Sequence, residues 1–350
     1  MTHRKASLSL AALLAALLVP AVAGAQSMEV WYLDLEGASG STVGPDGALY
    51  VTERLAGRVT RVDPWTGSTE PYAEGLPIPA VDIGVGGATD VVFIDETAYV
   101  LVNVVGPAFD VFAPLFGQAP GFAGDDAVGI YRVDSPTEST LIADIGAWSA
   151  AHPPETSYFL DHGVQYALEA FRGGLLVTDG HHNRLLRVSL GGNISEFNVF
   201  ENIVPTGLEV HGKTVLMGEA GPAPHLPENG KVVAIDAKTL ATSEIAAGAP
   251  LVVDVEFGLG QRLYVLAQGV WCAPEEIDPE CDDKMDGAPA EPGGGSLHEV
   301  NGDGSLTEVA SGLNLPTSVE FIGNDAFVIS LTGDIWVIRD VSRPPFGRRR

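Results

Sequence analysis

Nine polar residues of this chain stand where short apolar segments begin or end, and five of them carry a carboxylate. The carboxylates are Glu53, Asp90, Asp179, Glu219 and Asp254; the other four residues are Asn103, Thr206, Gln268 and Thr317. Oxygen donors that converge on one point suit Ca²⁺, so the five carboxylates are candidate calcium ligands. The alternative is that these segments end at a solvated rim, where polar residues are ordinary.

Glutamate also stands inside four apolar segments, where a charge is not expected. These residues are Glu169, Glu209, Glu256 and Glu320. If the four segments surround a channel at one level, their carboxylates form a ring and repel one another unless a cation, protons or arginines intervene. The candidate ion-pair partners recur in neighbouring segments and are Arg61, Arg132 and Arg187. A water-filled channel and a channel cation are the alternatives.

Histidines supply a further set of candidates. His181 and His182 follow the Asp179 segment, and His152, His162 and His225 lie in other loops. Histidine beside a carboxylate can act as an acid or a base, although loop histidines are more often surface residues, and no spacing singles one out as a catalyst. The candidate ligand contacts are therefore His181, His182, Asn103, Thr206, Gln268 and Thr317.

The two cysteines, Cys272 and Cys281, share one insertion that is rich in aspartate and glutamate between residues 273 and 286. In an exported protein this arrangement favours a disulfide that closes a short loop. The acidic loop could bind Ca²⁺, but its spacing differs from that of an EF-hand. A solvated acidic loop is the alternative interpretation.

A unit of four short strands positions all these residues and recurs six times. The second strands are predicted at 49–53, 98–102, 175–179, 215–219, 263–267 and 326–330, and the third strands at 59–63, 130–134, 185–189, 232–236, 297–301 and 335–339. Such a unit, repeated every ~40–50 residues, is typical of a β-propeller. We predict an all-β, six-bladed propeller of four-stranded antiparallel blades, at about 41–76, 87–148, 163–200, 204–249, 251–313 and 315–340.

The last blade lacks a fourth strand, and residues 29–35 form a lone strand before the first blade. We predict that this strand completes the last blade and closes the ring, because an open sheet edge promotes aggregation. Loops from second to third strands, and from blade to blade, carry the insertions and share one face, here called the decorated face. Function is expected there. One insertion, 106–128, includes the apolar residues Phe109, Phe112, Leu115, Phe116 and Phe122, which predict a lid or a contact patch.

Residues 1–25 are typical of a cleaved signal peptide, with Arg4 and Lys5 before a short apolar run. We therefore expect a secreted or periplasmic propeller domain over 26–341 and a disordered basic tail over 342–350. The net charge of −27 argues against nucleic acid and anionic membranes as partners, and no later segment is long enough to span a bilayer. The chain is predicted to be a monomer.

Several stretches carry a resemblance to a known family. They are 44–53, 173–179 with 183–188, and 204–208 followed by 217–219. In their combined order they resemble the ScyD/ScyE family of exported propellers, over nearly all of residues 29–340. The resemblance implies the propeller fold and export, and it brings no catalytic residues with it. The four glutamates in first strands depart from the family, which usually has small residues there.

The chain is more distantly similar to the gluconolactonase-like propellers. These hold Ca²⁺ with Glu, Asn and Asp at the channel mouth, with the ligand Asn after a proline of a first strand. Here Thr206 and Thr317 follow Pro205 and Pro316. Two hypotheses result: a binding or scaffold protein for a small molecule, glycan or protein, or a Ca²⁺-dependent lactonase or esterase in which Asp90, Glu219 or Asp254 would hold the metal. Nothing in the sequence indicates a nucleotide, flavin or haem site.

Overall fold

The computed structural model describes residues 27–80, 84–106, 126–155, 163–222, 225–271 and 290–342. A strand β1 (Met28–Tyr32) precedes blade one, which holds β2 (Ala38–Val43), β3 (Leu49–Glu53), β4 (Arg58–Val62) and β5 (Thr69–Ala73). Blade two holds β6 (Gly87–Ile94), β7 (Thr97–Asn103), β8 (Gly129–Ser135) and β9 (Glu138–Asp144), and blade three holds β10 (Gln165–Phe171), β11 (Gly174–Asp179), β12 (Arg184–Ser189) and β13 (Ile194–Val199).

The remaining three blades follow the same plan. Blade four holds β14 (Pro205–His211), β15 (Thr214–Glu219), β16 (Lys231–Asp236) and β17 (Thr242–Ala247), and blade five holds β18 (Val252–Gly258), β19 (Arg262–Ala267), β20 (Gly295–Val300) and β21 (Leu306–Leu313). Blade six holds β22 (Pro316–Ile322), β23 (Asp325–Ser330) and β24 (Asp334–Ile338). All pairings within the blades are antiparallel, so the predicted six-bladed β-propeller is confirmed.

The first strands surround the centre of the ring. They contact one another in the order β2, β6, β10, β14, β18 and β22, and β22 returns to contact β2. Second strands such as β11 are buried along their whole length, because sheets of adjacent blades cover both of their faces. Outer strands such as β13 have half-buried and exposed side chains, several of which are polar.

The outermost strand of blade six comes from the other end of the described chain. β1 pairs antiparallel with β24, with Met28 opposite Ile338 and Tyr32 opposite Asp334. Arg339 bonds both Glu29 and Asp325 across this junction. The strand is shorter than the 29–35 segment expected from sequence.

Within the described ranges, one α-helix interrupts the repeat, and a 3₁₀ helix (Pro227–Asn229) precedes β16. Blade two was predicted to extend to about residue 148 as strand, but β9 ends at Asp144 and a helix, α1 (Ile145–Ala151), follows. The Asp144 carboxylate accepts a hydrogen bond of 2.7 Å from the Ala147 amide and so caps the helix. That part of the prediction is wrong because an N-cap overrides the apolar strand pattern. No helix in the described ranges is long and apolar enough to cross a membrane.

Candidate functional site

Every first strand is bulged near its beginning, at the mouth of the central channel. The register shifts lie between Ala38 and Ser41, Ala88 and Asp90, Gln165 and Leu168, Pro205 and Leu208, Val252 and Asp254, and Pro316 and Ser318. A bulge inserts unpaired residues and redirects their side chains. Six bulges at one end of the ring therefore line a single concavity with residues that the ladder does not constrain.

That concavity is a cavity of about 260 Å³. Its apolar lining comes mainly from blades four to six and includes Val204, Leu251, Val253, Trp271 and Leu331. Its polar lining includes Ser39, Asp90, Tyr166, His181, Thr206, His225, Asp254, Gln268 and Thr317. The mixture of an apolar wall with a few convergent polar groups is the usual composition of a small-molecule site.

Part of the apolar wall is built on strained backbone. Val204, Leu251 and Leu315 precede β14, β18 and β22, and their φ angles are +49°, +50° and +46°. Left-handed backbone is rare for bulky side chains and costs about 1–3 kcal/mol per residue. All three side chains pack in one buried cluster with Leu331, so the surrounding apolar contacts hold the strained backbone at the mouth.

Two aspartates on opposite blades accept the same pattern of hydrogen bonds from the backbone. Asp90 accepts from the amides of Val91 (2.8 Å) and, in blade three, Leu168 (2.7 Å). Asp254 accepts from the amides of Val255 (2.9 Å) and, in blade six, Val319 (2.8 Å). Each carboxylate thus joins its own blade to the next one through two backbone donors.

Glycines on the preceding blades make room for these aspartates. A Cβ on Gly40 would lie 2.3 Å from the Asp90 Oδ1, and a Cβ on Gly207 would lie 2.6 Å from the Asp254 Oδ1. Neither distance is sterically possible, so both positions require glycine. The arrangement of glycine, aspartate and backbone amide over blades one to three therefore repeats over blades four to six.

The ring glutamates share the channel with these aspartates. Burial, then the charges of neighbouring carboxylates, hold the pKa of Glu169, Glu256 and Glu320 well above the usual range. Burial raises the pKa of Glu209 to about 7, and its carboxyl group hydrogen-bonds that of Glu256, which requires a shared proton. Burial likewise raises the pKa of Asp254 to about 7 and that of Asp90 well above its ordinary value. The raised pKa values favour protonation within this group of six carboxyls near neutral pH, which reduces their mutual repulsion.

The expected arginine partners of the ring lie elsewhere. Arg61 pairs with Asp46 and Glu70, and Arg132 pairs with Asp134. Arg187 lies over the Phe171 ring, 5.8 Å from its centroid. The prediction that these arginines pair with the channel glutamates is wrong, because the third strands that carry them are separated from the channel by two other strands of each blade.

Two of the five candidate metal ligands are instead bound to arginine. Glu53 accepts from Arg58 Nε and Nη2, both at 2.7 Å, and from the Glu36 amide. Asp179 accepts from Arg184 Nε at 2.9 Å and from Gln165 Nε2 at 2.9 Å. In each case the acid ends a second strand and the arginine directly opposite begins the third.

The five candidate ligands do not converge. Glu219 lies opposite Lys231 in blade four, and burial raises its pKa to about 7. Neither it nor Glu53 nor Asp179 lines the cavity. Within the described ranges, no group of three or more His, Cys, Asp or Glu is arranged to hold a metal ion. Calcium binding stays a prediction.

Histidine and tyrosine line the side of the cavity opposite blade six. The Tyr166 hydroxyl lies 3.1 Å from His181 Nε2. Burial, then the nearby His225, lowers the pKa of His181 to about 4, so that its ring is neutral at physiological pH. His225 packs against Trp271, with ring centroids 6.2 Å apart. Sequence reasoning named both histidines but missed Tyr166 and Trp271, which carry no motif.

The other ligand-contact candidates divide into two groups. His181, Thr206, Gln268 and Thr317 line the cavity. His182 is buried between Asp179 and Arg184, and Asn103 is buried against Thr89 and the Gln165 carbonyl, so both serve the packing of the blades.

Some predictions fall outside the described residues. They concern Cys272, Cys281, His162, residues 1–25, the apolar loop residues 109–122 and the tail 343–350.

Solved structures share the overall fold of this chain. A gluconolactonase from Xanthomonas campestris is 10% identical over 90% of this chain and 90% of its own, with a TM-score of 0.58. A structure described as a putative gluconolactonase is 11% identical over 92% and 94%, with a TM-score of 0.54. Virginiamycin B lyase from Staphylococcus aureus is 13% identical over 89% and 99%, with a TM-score of 0.53.

At these identities the likeness shows the propeller fold alone. No family model matches the chain, and no curated protein matches it in sequence. Membership of the ScyD/ScyE family therefore stays an expectation.

Proposed function

We propose that this chain is a binding protein that holds a small molecule in the channel-mouth cavity. One observation carries the proposal: the cavity of about 260 Å³ combines an apolar wall with convergent polar groups. It is also held in place by buried side chains and bulged strands, so little ordering is required when a ligand enters. Export to the periplasm or medium, expected from residues 1–25, suits such a role.

Filling the cavity tests this proposal. Val253 is the extra residue of the β18 bulge and lines the cavity without being fully buried. Val253→Trp is expected to fill the space and to abolish the thermal stabilisation given by any small molecule that a fragment screen identifies. Val253→Ala, the matched control, enlarges the cavity and should keep binding. Equal binding by Val253→Trp and the unchanged protein would place the ligand elsewhere and refute the proposal.

A second candidate function is acid–base catalysis in the same cavity. The neutral His181 ring, hydrogen-bonded to Tyr166, favours it, since a neutral imidazole in a shielded site can accept a proton. Two of the similar structures are described as gluconolactonases and one as a lyase. Screening lactones and esters with the unchanged chain, His181→Gln and the exposed control His152→Gln tests it. Turnover lost in His181→Gln but not in His152→Gln supports catalysis.

The hypothesis of a Ca²⁺-dependent lactonase or esterase has its own test. Thermal unfolding of the full chain is followed with EDTA and then with Ca²⁺ added back, because a native-state ligand raises the midpoint by mass action. A rise of several degrees that disappears in Asp254→Asn would support a metal-dependent hydrolase. An unchanged midpoint at millimolar Ca²⁺ would contradict the metal-dependent hydrolase and leave the two metal-independent candidates to their own tests.

A further inference from the structure

Several polar groups of the cavity offer hydrogen-bond acceptors to a ligand. The Thr206 hydroxyl donates to the Val252 carbonyl at 2.9 Å, and the Thr317 hydroxyl donates to the Ser39 carbonyl at 2.7 Å. Each hydroxyl therefore offers only lone pairs to a ligand. Asp90 and Asp254 each accept two backbone amides and, once ionised, can accept further hydrogen bonds from a ligand.

Gln268 adds a further acceptor to the cavity wall. Its Nε2 donates to the Pro316 carbonyl at 3.2 Å, which fixes the orientation of the amide because a carbonyl can only accept. The side chain is 4% exposed and lines the cavity, and within the described residues its Oε1 has no hydrogen-bond partner. A buried unsatisfied acceptor costs about 1–3 kcal/mol, and a ligand N–H at this wall would remove that cost.

The electrostatic field of the cavity has one sign. The charged groups that act most strongly on Asp90 and on the ring glutamates, within the part of the chain that is described, are other carboxyls. No lysine or arginine is among the described residues that line the cavity. When these carboxyls ionise, they form a negative focus at the base of an apolar recess, which attracts cations and excludes anions.

The apolar wall of the cavity suits the apolar part of a cationic ligand. Trp271, Tyr166, Leu251, Val253 and Leu331 present apolar surface, and an aromatic face also attracts an organic cation. A hydrated metal ion makes no use of this wall. The combination therefore selects for a ligand that is both cationic and apolar.

We propose that the ligand is an organic cation, a protonated amine carried on a compact apolar body, with its N–H groups directed to Asp254, Asp90 and Gln268. This inference deepens the proposed binding function and rests on it. The amine displaces the protons that hold the channel carboxyls together, while the apolar body lies against Leu251, Val253 and Trp271.

Proton release distinguishes binding of an amine by the carboxyls from binding that only buries the apolar surface of a ligand. The titratable groups that line the cavity are Asp90, Asp254, Tyr166, His181 and His225. The ring glutamates, Glu169, Glu209, Glu256 and Glu320, do not line it but interact electrostatically with the two aspartates. His181 is neutral throughout the neutral range, so the carboxyls supply the protons. Amine affinity should then rise from pH 5 to pH 8, whereas that of a neutral analogue should not.

The test is a calorimetric comparison of phenethylamine, phenethyl alcohol and phenylacetate with the full chain. Phenethylamine is expected to bind about tenfold more tightly than the alcohol and to release about one proton at pH 7, measured in buffers of different ionisation enthalpy. Phenylacetate is expected not to bind. Ca²⁺, which lacks an apolar body, serves as a competitor that should not displace the amine.

Variants separate this inference from the function on which it rests. Gln268→Glu should strengthen amine binding and Asp254→Asn should weaken it, whereas Glu138→Gln, an exposed charge on the opposite face, should change neither. If amine and alcohol bind equally and Val253→Trp abolishes both, the cavity binds ligands but the cation inference is wrong. If no member of the trio binds, the cation inference is overturned, and the fragment screen decides the binding function separately. Displacement by Ca²⁺ would assign the carboxyls to a metal.

Discussion

Glu53 in blade one and Asp254 in blade five are acids at the same end of the ring with opposite electrostatic environments. Burial raises the pKa of Glu53, but hydrogen bonds from Arg58, Thr60 and the Glu36 amide outweigh it, and the net pKa is lowered. Burial raises the pKa of Asp254 to about 7, and its backbone donors only partly oppose the effect. An arginine that lies directly opposite and hydrogen-bonds the acid thus separates Glu53, which stabilises its blade, from Asp254, which lines the cavity.

The largest effect should come from removing the cation of a paired acid. Arg184 is fully buried and bonds Asp179, Glu196 and Ser149. Arg184→Met leaves a buried carboxylate without its cation, so we expect a loss of about 3–5 kcal/mol in the free energy of unfolding. Urea denaturation measures it. A loss below about 1 kcal/mol would mean that His182 and Gln165 suffice for Asp179, and the comparison would fail.

The pH dependence of stability should differ between the two kinds of acid. The pKa of Asp254 rises from 3.8 to about 7 on folding, so its stabilising contribution is complete below pH 4 and is lost as the pH rises to about 7. Asp254→Asn should flatten this decline by at most about 1.4 kcal/mol per pH unit. Glu53 has the opposite sign, and its contribution is lost in acid. Chemical denaturation at several pH values would show both slopes; an unaltered slope in Asp254→Asn would contradict the assignment.

The same substitution, Glu→Gln, should change the free energy of unfolding in opposite directions in the channel ring and at the arginine-paired acid. Glu320→Gln keeps the shape of a ring residue and removes the cost of ionising it among other carboxyls, so we expect a gain of about 1 kcal/mol at pH 8. Glu53→Gln loses charge-assisted bonds and should cost about 1–3 kcal/mol. Thermal unfolding of both variants at pH 8 compares them directly. Destabilisation by both would show that the ring depends on its charge.

The smallest effect should come from an exposed pair. Arg61 bonds Asp46 and Glu70 at the surface, where solvent screens the charges. Arg61→Met is expected to change the free energy of unfolding by less than about 1 kcal/mol, measured by urea denaturation beside Arg184→Met. A loss as large as that of Arg184→Met would remove burial as the cause of the difference.

The fold was predictable from sequence because strands leave a local alternating pattern. β3 begins and ends at the predicted residues, and β11 begins one residue earlier than predicted. The helix after Asp144 was missed, since one capping side chain decides it. The bulges were missed because they depend on how each first strand fits its neighbours around the ring.

The site was predictable in part, and the arginine pairs show why. Asp90 and Asp254 stood at predictable positions, but whether an acid is paired depends on register. Glu53 and Arg58, and Asp179 and Arg184, share a spacing of five residues across a short second loop. That spacing was a readable signal, and it would have separated the structural acids from the channel acids. Tyr166 and Trp271 reach the cavity only through tertiary packing.

The pairing of β1 with β24 has a consequence for biogenesis. Met28 meets Ile338 across 310 positions of sequence, so the sixth sheet cannot be completed until synthesis of the whole domain has ended. Until then the outer edge of β24 is a template that accepts any β1, its own or that of a neighbouring chain. Crowding newly made chains therefore favours strand-exchanged dimers, and slow release of single chains favours the closed monomeric ring.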